Sequence, residues 1–421
     1  MDKQSKQGSQ NRLRILHTAD WHIGRTLYGK KRYAEFEAFF SWLANTIVQE
    51  KIDVLIVAGD VFDNTAPSNR AQKLYYQFLC KVAASPCRHV VVVAGNHDSP
   101  SFLDAPKELL RFLDVHVIGT VASPYQDEVL VLQDKEGAEA LIVCAVPYLR
   151  DGDIRLAEAG ESVDDKERKL VEGIRSHYHQ VCELACQKRD TLGLQVPIVA
   201  IGHLFAVGGQ TTEGDGVRDL YVGSLGCVTA EMFPECIAYL ALGHLHVPQK
   251  VNGSDKMRYS GSPLPMGFGE VGQVKSVCVV DFRDLELRIR TLEIPTFQKI
   301  ERITGSSKDI TARIAELSKA SSDAWLEIIY EGDEVIGSLR ESVETLISGT
   351  AIEVLRIKDL RAVDQTLSRM CEDESLEDLE LDDVFARCLE LHSIPDEQRA
   401  ELLRAYQEIV NSFNYADSNA E

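Results

Sequence analysis

VVVVAGNHDSP occupies residues 90–100. Four consecutive valines have no polar face, so they suit a strand covered on both sides, as in the parallel sheets of α/β proteins. Ala-Gly ends the run, and Asn96, His97 and Asp98 follow at once. A turn rich in polar side chains at the carboxyl end of a buried strand is where open α/β sheets place their binding sites.

Similar runs lie on both sides. LRILHTAD (13–20), DVLIVAGD (53–60), VHVIG (115–119), ALIVCAVPY (140–148), VPIVAIGH (196–203), IAYLALGHLH (237–246) and SVCVVDF (276–282) all read as buried strands. YAEFEAFFSWLANTIVQEK (33–51) and RAQKLYYQFLCKVAAS (70–85) have apolar residues at helical spacing and link the first three strands. The chain therefore opens as β-α-β-α-β, with a more polar helical insertion at 151–195. Around IPTFQKI (294–300) the texture changes to alternating helix and strand, and from Val363 onward it is helical and charged. The expected organisation is a disordered tail over 1–12, a catalytic α/β unit over 13–285, a small α/β domain over 290–362 and a helical segment over 363–421.

Composition narrows the function. The 421 residues are 44% hydrophobic and 26% charged, with no apolar run of the about 18 residues that a membrane span needs. The start, MDKQSKQGSQN, has no apolar stretch and does not read as a secretory leader. Ten scattered cysteines without a Cys-x-x-Cys, Cys182 and Cys186 among them, suit reduced thiols of a cytoplasmic protein. The net charge of −21 argues against coating nucleic acid, yet CEDESLEDLELDD (371–383) holds eight of the acids, so a local groove stays open to DNA. No G-x-x-x-x-G-K-[ST] occurs, so no nucleotide is expected on a phosphate loop of this chain.

Aligned by their strand ends, the polar residues form a set. The first strand ends in Asp20 and His22, the second in Asp60, the third in Asn96-His97-Asp98, and two later ones in His203 and in His244 and His246. Glycine precedes four of these groups, at Gly59, Gly95, Gly202 and Gly243. Asp20, His22, Asp60, Asn96, His203, His244 and His246 are too many ligands for one ion. Two ions need a bridging carboxylate, and Asp60 is the best placed. His244 and His246 alternate along the chain and can serve different ions. An all-nitrogen-and-oxygen set without thiolate suits Mn²⁺, with Mg²⁺ or Fe²⁺ as alternatives. Asn96 and His97 point opposite ways unless the chain turns sharply. Asn96 is read as a ligand, His97 as the group that faces a phosphate and protonates a departing oxygen, and Asp98 as the carboxylate holding the imidazole. A third-ligand role for His97 stays open, as does the choice for Asp63 between an acid behind a ligand and an N-cap for the helix after Pro67.

The order D-x-H, G-D-x-x-D, G-N-H-D, G-H, G-H-x-H over residues 13–282 resembles the calcineurin-like metallophosphoesterase superfamily. The resemblance implies a two-sheet α/β sandwich with a dinuclear centre that hydrolyses phosphoesters. It implies Asp20, His22, Asp60 and His246 on one ion, and Asp60, Asn96, His203 and His244 on the other.

ILHTADWHIGRTLYGKKR (15–32), IVAGDVFDNTAPSNRA (56–71), AGNHDSP (94–100), VRDLYVG (217–223) and RYSGSPLPMGFGE (258–270) carry a closer resemblance, to the nuclease subunits of bacterial SbcCD-type complexes. It implies exonuclease action on duplex ends and endonuclease action on hairpins or blocked ends, during DNA break processing. It further implies a homodimer and a capping domain over DNA. The last helices would dock on an SbcC-type coiled-coil ATPase. Arg25, Lys30, Lys31, Arg32 and Arg70, in loops beside the ligands, are candidates for phosphate contacts. After His246, however, come Val247 and Pro248, where a basic residue would favour DNA. A phosphomonoesterase or cyclic-nucleotide phosphodiesterase is the competing reading, with no use for the additional C-terminal domain.

Overall fold

The computed structural model describes residues 12–122, 124–155, 161–206, 228–283, 285–332 and 336–359, with Leu402 and Tyr406. The tail at 1–11, the VRDLYVG stretch and almost all of the helical segment expected over 363–421 lie outside the described residues. The chain divides into two compact units, one running to Arg302 and including Asp323–Leu326, the other made of Ile303–Ser322 and of residues from Glu327 on.

Two six-stranded sheets build the first unit. One runs, edge to edge, Glu286–Glu293, Ser276–Arg283, Arg12–Thr18, Val54–Ala58, His89–Val93 and Val115–Ile118. Its last four strands are parallel, and Ser276–Arg283 pairs antiparallel with Arg12–Thr18. The other runs Gln249–Lys250, Met257–Tyr259, Ile237–Gly243, Ile198–His203, Glu139–Ala145 and Val129–Gln133.

Alternation along each strand sorts the side chains into layers. Ile15, Val54, Ile56, Val91 and Val93 meet Leu141, Val143, Val199, Ile201 and Tyr239 of the opposite sheet. On the outer face of the first sheet, Leu55, Val57, Val90 and Val92 pack on Phe36, Phe39 and Leu43 of the helix Tyr33–Glu50 and on Tyr75, Phe78 and Leu79 of the helix Asn69–Ala83. On the outer face of the second, Ile142, Ile198, Leu240 and Leu242 meet Tyr178, Val181 and Ala185 of the helix Val163–Thr191. This is the two-sheet α/β sandwich, and it explains the continuous valine runs: both faces of each inner strand are covered.

The two longest edge strands of the sandwich went unread in the sequence. In ELRIRTLE (Glu286–Glu293) exposed charged side chains alternate with Leu287 and Ile289, which reach the inter-sheet core. Half of such a strand faces water, so its charge hides it. Val129–Gln133 is the corresponding edge of the second sheet.

Beyond the sandwich, Ile300–Gly305, Trp325–Tyr330 and Glu353–Asp359 form a three-stranded sheet, accompanied by helices Ser307–Lys319 and Ile336–Ile347. The first of these helices begins at a capping box between Ser306 and Asp309 and buries Ile310, Ile314 and Leu317.

Candidate metal centre

The candidate ligands leave their strands abruptly. Arg12–Thr18 ends before Asp20, and Asp20, His22, Asp60 and His244 all have left-handed backbones, with φ of 52°, 46°, 49° and 102°. Non-glycine residues seldom sit there, and each such conformation costs on the order of 1–3 kcal/mol. Neighbouring turns hold one another in place: Asp20 N–H donates to Gly59 O at 3.0 Å and His22 N–H to Asp60 O at 2.9 Å. Between Asp20 and His22, Trp21 points the other way, buried edge-on against Phe39, Phe40 and Phe78. The aromatic core thus anchors the turn that presents Asp20 and His22.

Two glycines make room for the crossing of the sheets. A Cβ on Gly59 would stand 2.2 Å from His203 Nδ1, and its φ is +87°. A Cβ on Gly243 would stand 1.9 Å from the Ala58 carbonyl oxygen. The first glycine serves both the turn and the approach, the second only the approach.

Side chains from both sheets meet around Asp60. Asp60 Oδ2 lies 3.5 Å from His22 Nε2 and 3.3 Å from His203 Nε2, between two groups. In one, His22 Nε2 and His246 Nε2 are 3.1 Å apart and Asp20 is alongside. In the other, Asn96 Oδ1 is 2.9 Å from His203 Nε2 and 3.0 Å from His244 Nδ1. The turn at His244 is what sends the two imidazoles of His-x-His to different groups.

The electrostatics suit groups that bind divalent cations. Burial pushes His22 down to about 4 and His244 down to about 3, so both are neutral with lone pairs available. Burial raises Asp20 to about 6. Burial also opposes charge on Asp60 and His203, but their mutual attraction prevails: Asp60 is held well below the usual carboxylate range and His203 is raised to about 9.

The fit to divalent cations rests on specific atoms. Asp20 Oδ2 and His244 Nε2 are buried without a hydrogen-bond partner. His203 Nδ1 is 2.9 Å from the Ala58 carbonyl, which takes its proton and leaves Nε2 toward Asp60 and Asn96. Adjacent ligands on an octahedral ion with bonds of about 2.0–2.1 Å are about 3 Å apart, and the 3.1 Å between His22 and His246 suits that spacing.

Behind the candidate ligands stand groups to which the sequence alone assigned no role. Glu270 Oε1 lies 3.6 Å from His246 Nδ1, and Glu270 Oε2 pairs with Lys275 Nζ. Lys275 Nζ also donates to the His246 carbonyl at 2.9 Å and to Ser262 Oγ at 3.0 Å. The only sequence signal was the SGSPLPMGFGE stretch that ends in Glu270.

Two expectations need correction, and the open choice for Asp63 is resolved. Asp63 does not cap the helix after Pro67; Ser68 does, accepting from Ala71 N–H, while Asp63 Oδ1 lies 3.5 Å from His22 Nδ1 and 3.1 Å from Arg25. Asp98 does not hold His97. Its carboxylate accepts from the backbone N–H groups of Val61, Phe62 and Gly95, because the Asn-His-Asp turn folds it inward beneath the site. His97 Nδ1 instead lies 2.9 Å from the Asp63 carbonyl oxygen. Arg32 is no phosphate contact: it is 2% exposed, and it is bound to Glu35 at 2.7 Å and to the Pro265 carbonyl.

His97 N–H donates to Asp60 Oδ1 at 2.9 Å, and its ring packs edge-on against His22. Its ligand atom falls within 4.8 Å of those of His22 and Asp60. His97 also lines a cleft of about 520 Å³ that opens beside Asn96 and His203. Of the remaining basic candidates, Lys30 and Lys31 form one arm of a short hairpin, and Arg70 is exposed above the Tyr33 ring.

Residues 13–248 match the calcineurin-like phosphoesterase family, and residues 296–393 match a family described as the type 5 capsule protein repressor C-terminal domain. The chain is similar to the D subunit of nuclease SbcCD from Escherichia coli (strain K12), 34% identical over 393 residues, spanning 93% of this chain and 96% of that one. It is also similar to proteins of the same name from Rhodobacter capsulatus, 38% identical over 64% of this chain and 66% of that one, and from Bacillus subtilis, 36% identical over 64% and 66%.

Proposed function

The chain belongs to the calcineurin-like phosphoesterases and, through similarity over nearly its whole length, to their SbcCD nuclease branch; from that premise we propose a Mn²⁺-dependent DNA nuclease that trims duplex ends and opens hairpins or blocked ends. It is the nuclease component of an SbcCD-type complex, with a coiled-coil ATPase as its partner. We assign it to DNA break processing in the cytoplasm and to a homodimer, in keeping with the family resemblance. The observation that supports this best is the convergence of Asp20, His22, Asp60, Asn96, His203, His244 and His246, from both sheets, around one carboxylate.

Bound divalent ions in such a centre neutralise phosphate charge and lower the pKa of water. Asp20, His22, Asp60 and His246 would hold one ion and Asp60, Asn96, His203 and His244 the other. The donors are all nitrogen and oxygen, which favours Mn²⁺. His97 is positioned by the Asp63 carbonyl at Nδ1, which leaves Nε2 as the atom that delivers a proton to the departing oxygen. Asp63 and Glu270 orient His22 and His246, and Asp98 shapes the turn carrying Asn96 and His97.

The test compares linear duplex and hairpin DNA with a chromogenic phosphomonoester, in Mn²⁺ and after chelation. Mn²⁺-dependent DNA cleavage with little monoester turnover is expected. Efficient monoester hydrolysis without DNA cleavage would favour the phosphatase reading.

A further inference from the structure

The cleft beside His97 has more apolar wall than a phosphate needs. Asn96, His97 and His203 line it together with Tyr148, Leu170 and Ile174. A phosphodiester gains nothing from apolar surface, whereas a base and sugar do. At about 520 Å³ the cleft falls within the usual range of small-ligand pockets, about 300–1,000 Å³, so it has room for a nucleotide.

Tyr148 is fixed in this wall. Its backbone N–H donates to the Ala94 carbonyl at 2.8 Å, and its ring meets His203 edge-on at 6.1 Å. The Arg150 guanidinium lies 5.9 Å from the Tyr148 ring centroid and donates to the Asp98 carbonyl at 3.2 Å. The wall is therefore tied to the turn that presents Asn96 and His97. Whatever fills the cleft lies next to the proton donor.

Resting on the nuclease reading above, we infer that this cleft takes the nucleoside on the departing side of the cut phosphate, turned out of the helix and laid against Tyr148, with Arg150 beside its backbone. Extruding a nucleotide costs least where pairing is already weak, so the cleft selects frayed ends and hairpin loops over continuous duplex.

The full chain, with Mn²⁺ and its ATPase partner, is mixed in stopped flow with duplexes carrying 2-aminopurine at successive positions from each end. A fluorescence rise at one position, ahead of strand cutting, is expected. In Tyr148→Ala that rise disappears and KM for DNA increases about tenfold. The loss on DNA then exceeds the loss on bis(4-nitrophenyl) phosphate at least about tenfold, and Tyr148→Trp restores both signals. Cleavage by the wild-type protein with no fluorescence rise at any position would overturn the subsite and leave the nuclease reading intact, and so would equal losses on the two substrates. Failure of the wild-type protein to cut DNA at all would overturn both.

Discussion

Glu270 Oε1 stands 3.6 Å from Nδ1 of His246, and both side chains are buried. Burial opposes a charged His246, but the Glu270 and Asp20 carboxylates outweigh it and raise the imidazole above its ordinary range. Lys275 completes the group by binding both Glu270 and the His246 carbonyl. A carboxylate behind a ligating histidine sets its ring orientation and its basicity.

Glu270→Gln should therefore weaken Mn²⁺ binding about 10- to 100-fold. Calorimetric titration gives the affinity, and thermal unfolding without metal shows whether the fold persists. A folded variant with wild-type affinity would strip Glu270 of this role.

Asp60 touches both groups of ligands, so Asp60→Asn should lose more metal than any other single ligand change. Elemental analysis after gel filtration reads the outcome. Two ions retained per chain in that variant would show that Asp60 does not bridge.

Metal affinity should climb with pH. In the metal-free protein His203 is raised to about 9 by Asp60, against the effect of burial, from an unfolded value of about 6.5. Its pairing stabilises the fold fully below the unfolded value and is lost as pH rises through about 9. An ion must displace that proton, so affinity should increase about tenfold per pH unit between about 7 and 9 and then level off. Proton release measured in two buffers of different ionisation enthalpy checks this, and pH-independent binding would exclude a charged His203.

His97→Leu should keep both ions and DNA affinity yet cut at least about 10²-fold more slowly in single turnover. Loss of metal in that variant would instead make His97 a third ligand beside His22 and Asp60, whose ligand atoms lie close to its own.

A chain ending at residue 362 should keep its metal-dependent hydrolysis and lose the ATPase. The apolar stripes in LRAYQEIVNSF have no use in the catalytic sandwich. A pull-down with undiminished partner binding would refute it.

Layer order and strand-end chemistry were legible in the chain because they are local. Valine runs mark strands covered on both faces, and Gly-Asp, Gly-Asn-His-Asp and Gly-His-x-His mark their carboxyl ends. The residue types there were enough to read a divalent-metal centre.

Which atom meets which was decided only by folding. Asp98 looked like the partner of His97 because it is next in sequence, yet a turn separates them and a carbonyl 34 residues away takes its place. Arg32 looked like a surface cation, but a helix carboxylate and the Pro265 carbonyl bury it. Glu270 and Tyr148 gave little or no signal, because their importance lies in contacts with His246 and His203 that no local pattern announces. Periodicity and residue type follow from the chemistry of neighbouring residues, whereas the direction of a side chain at a left-handed turn depends on the backbone that closes over it from the other sheet.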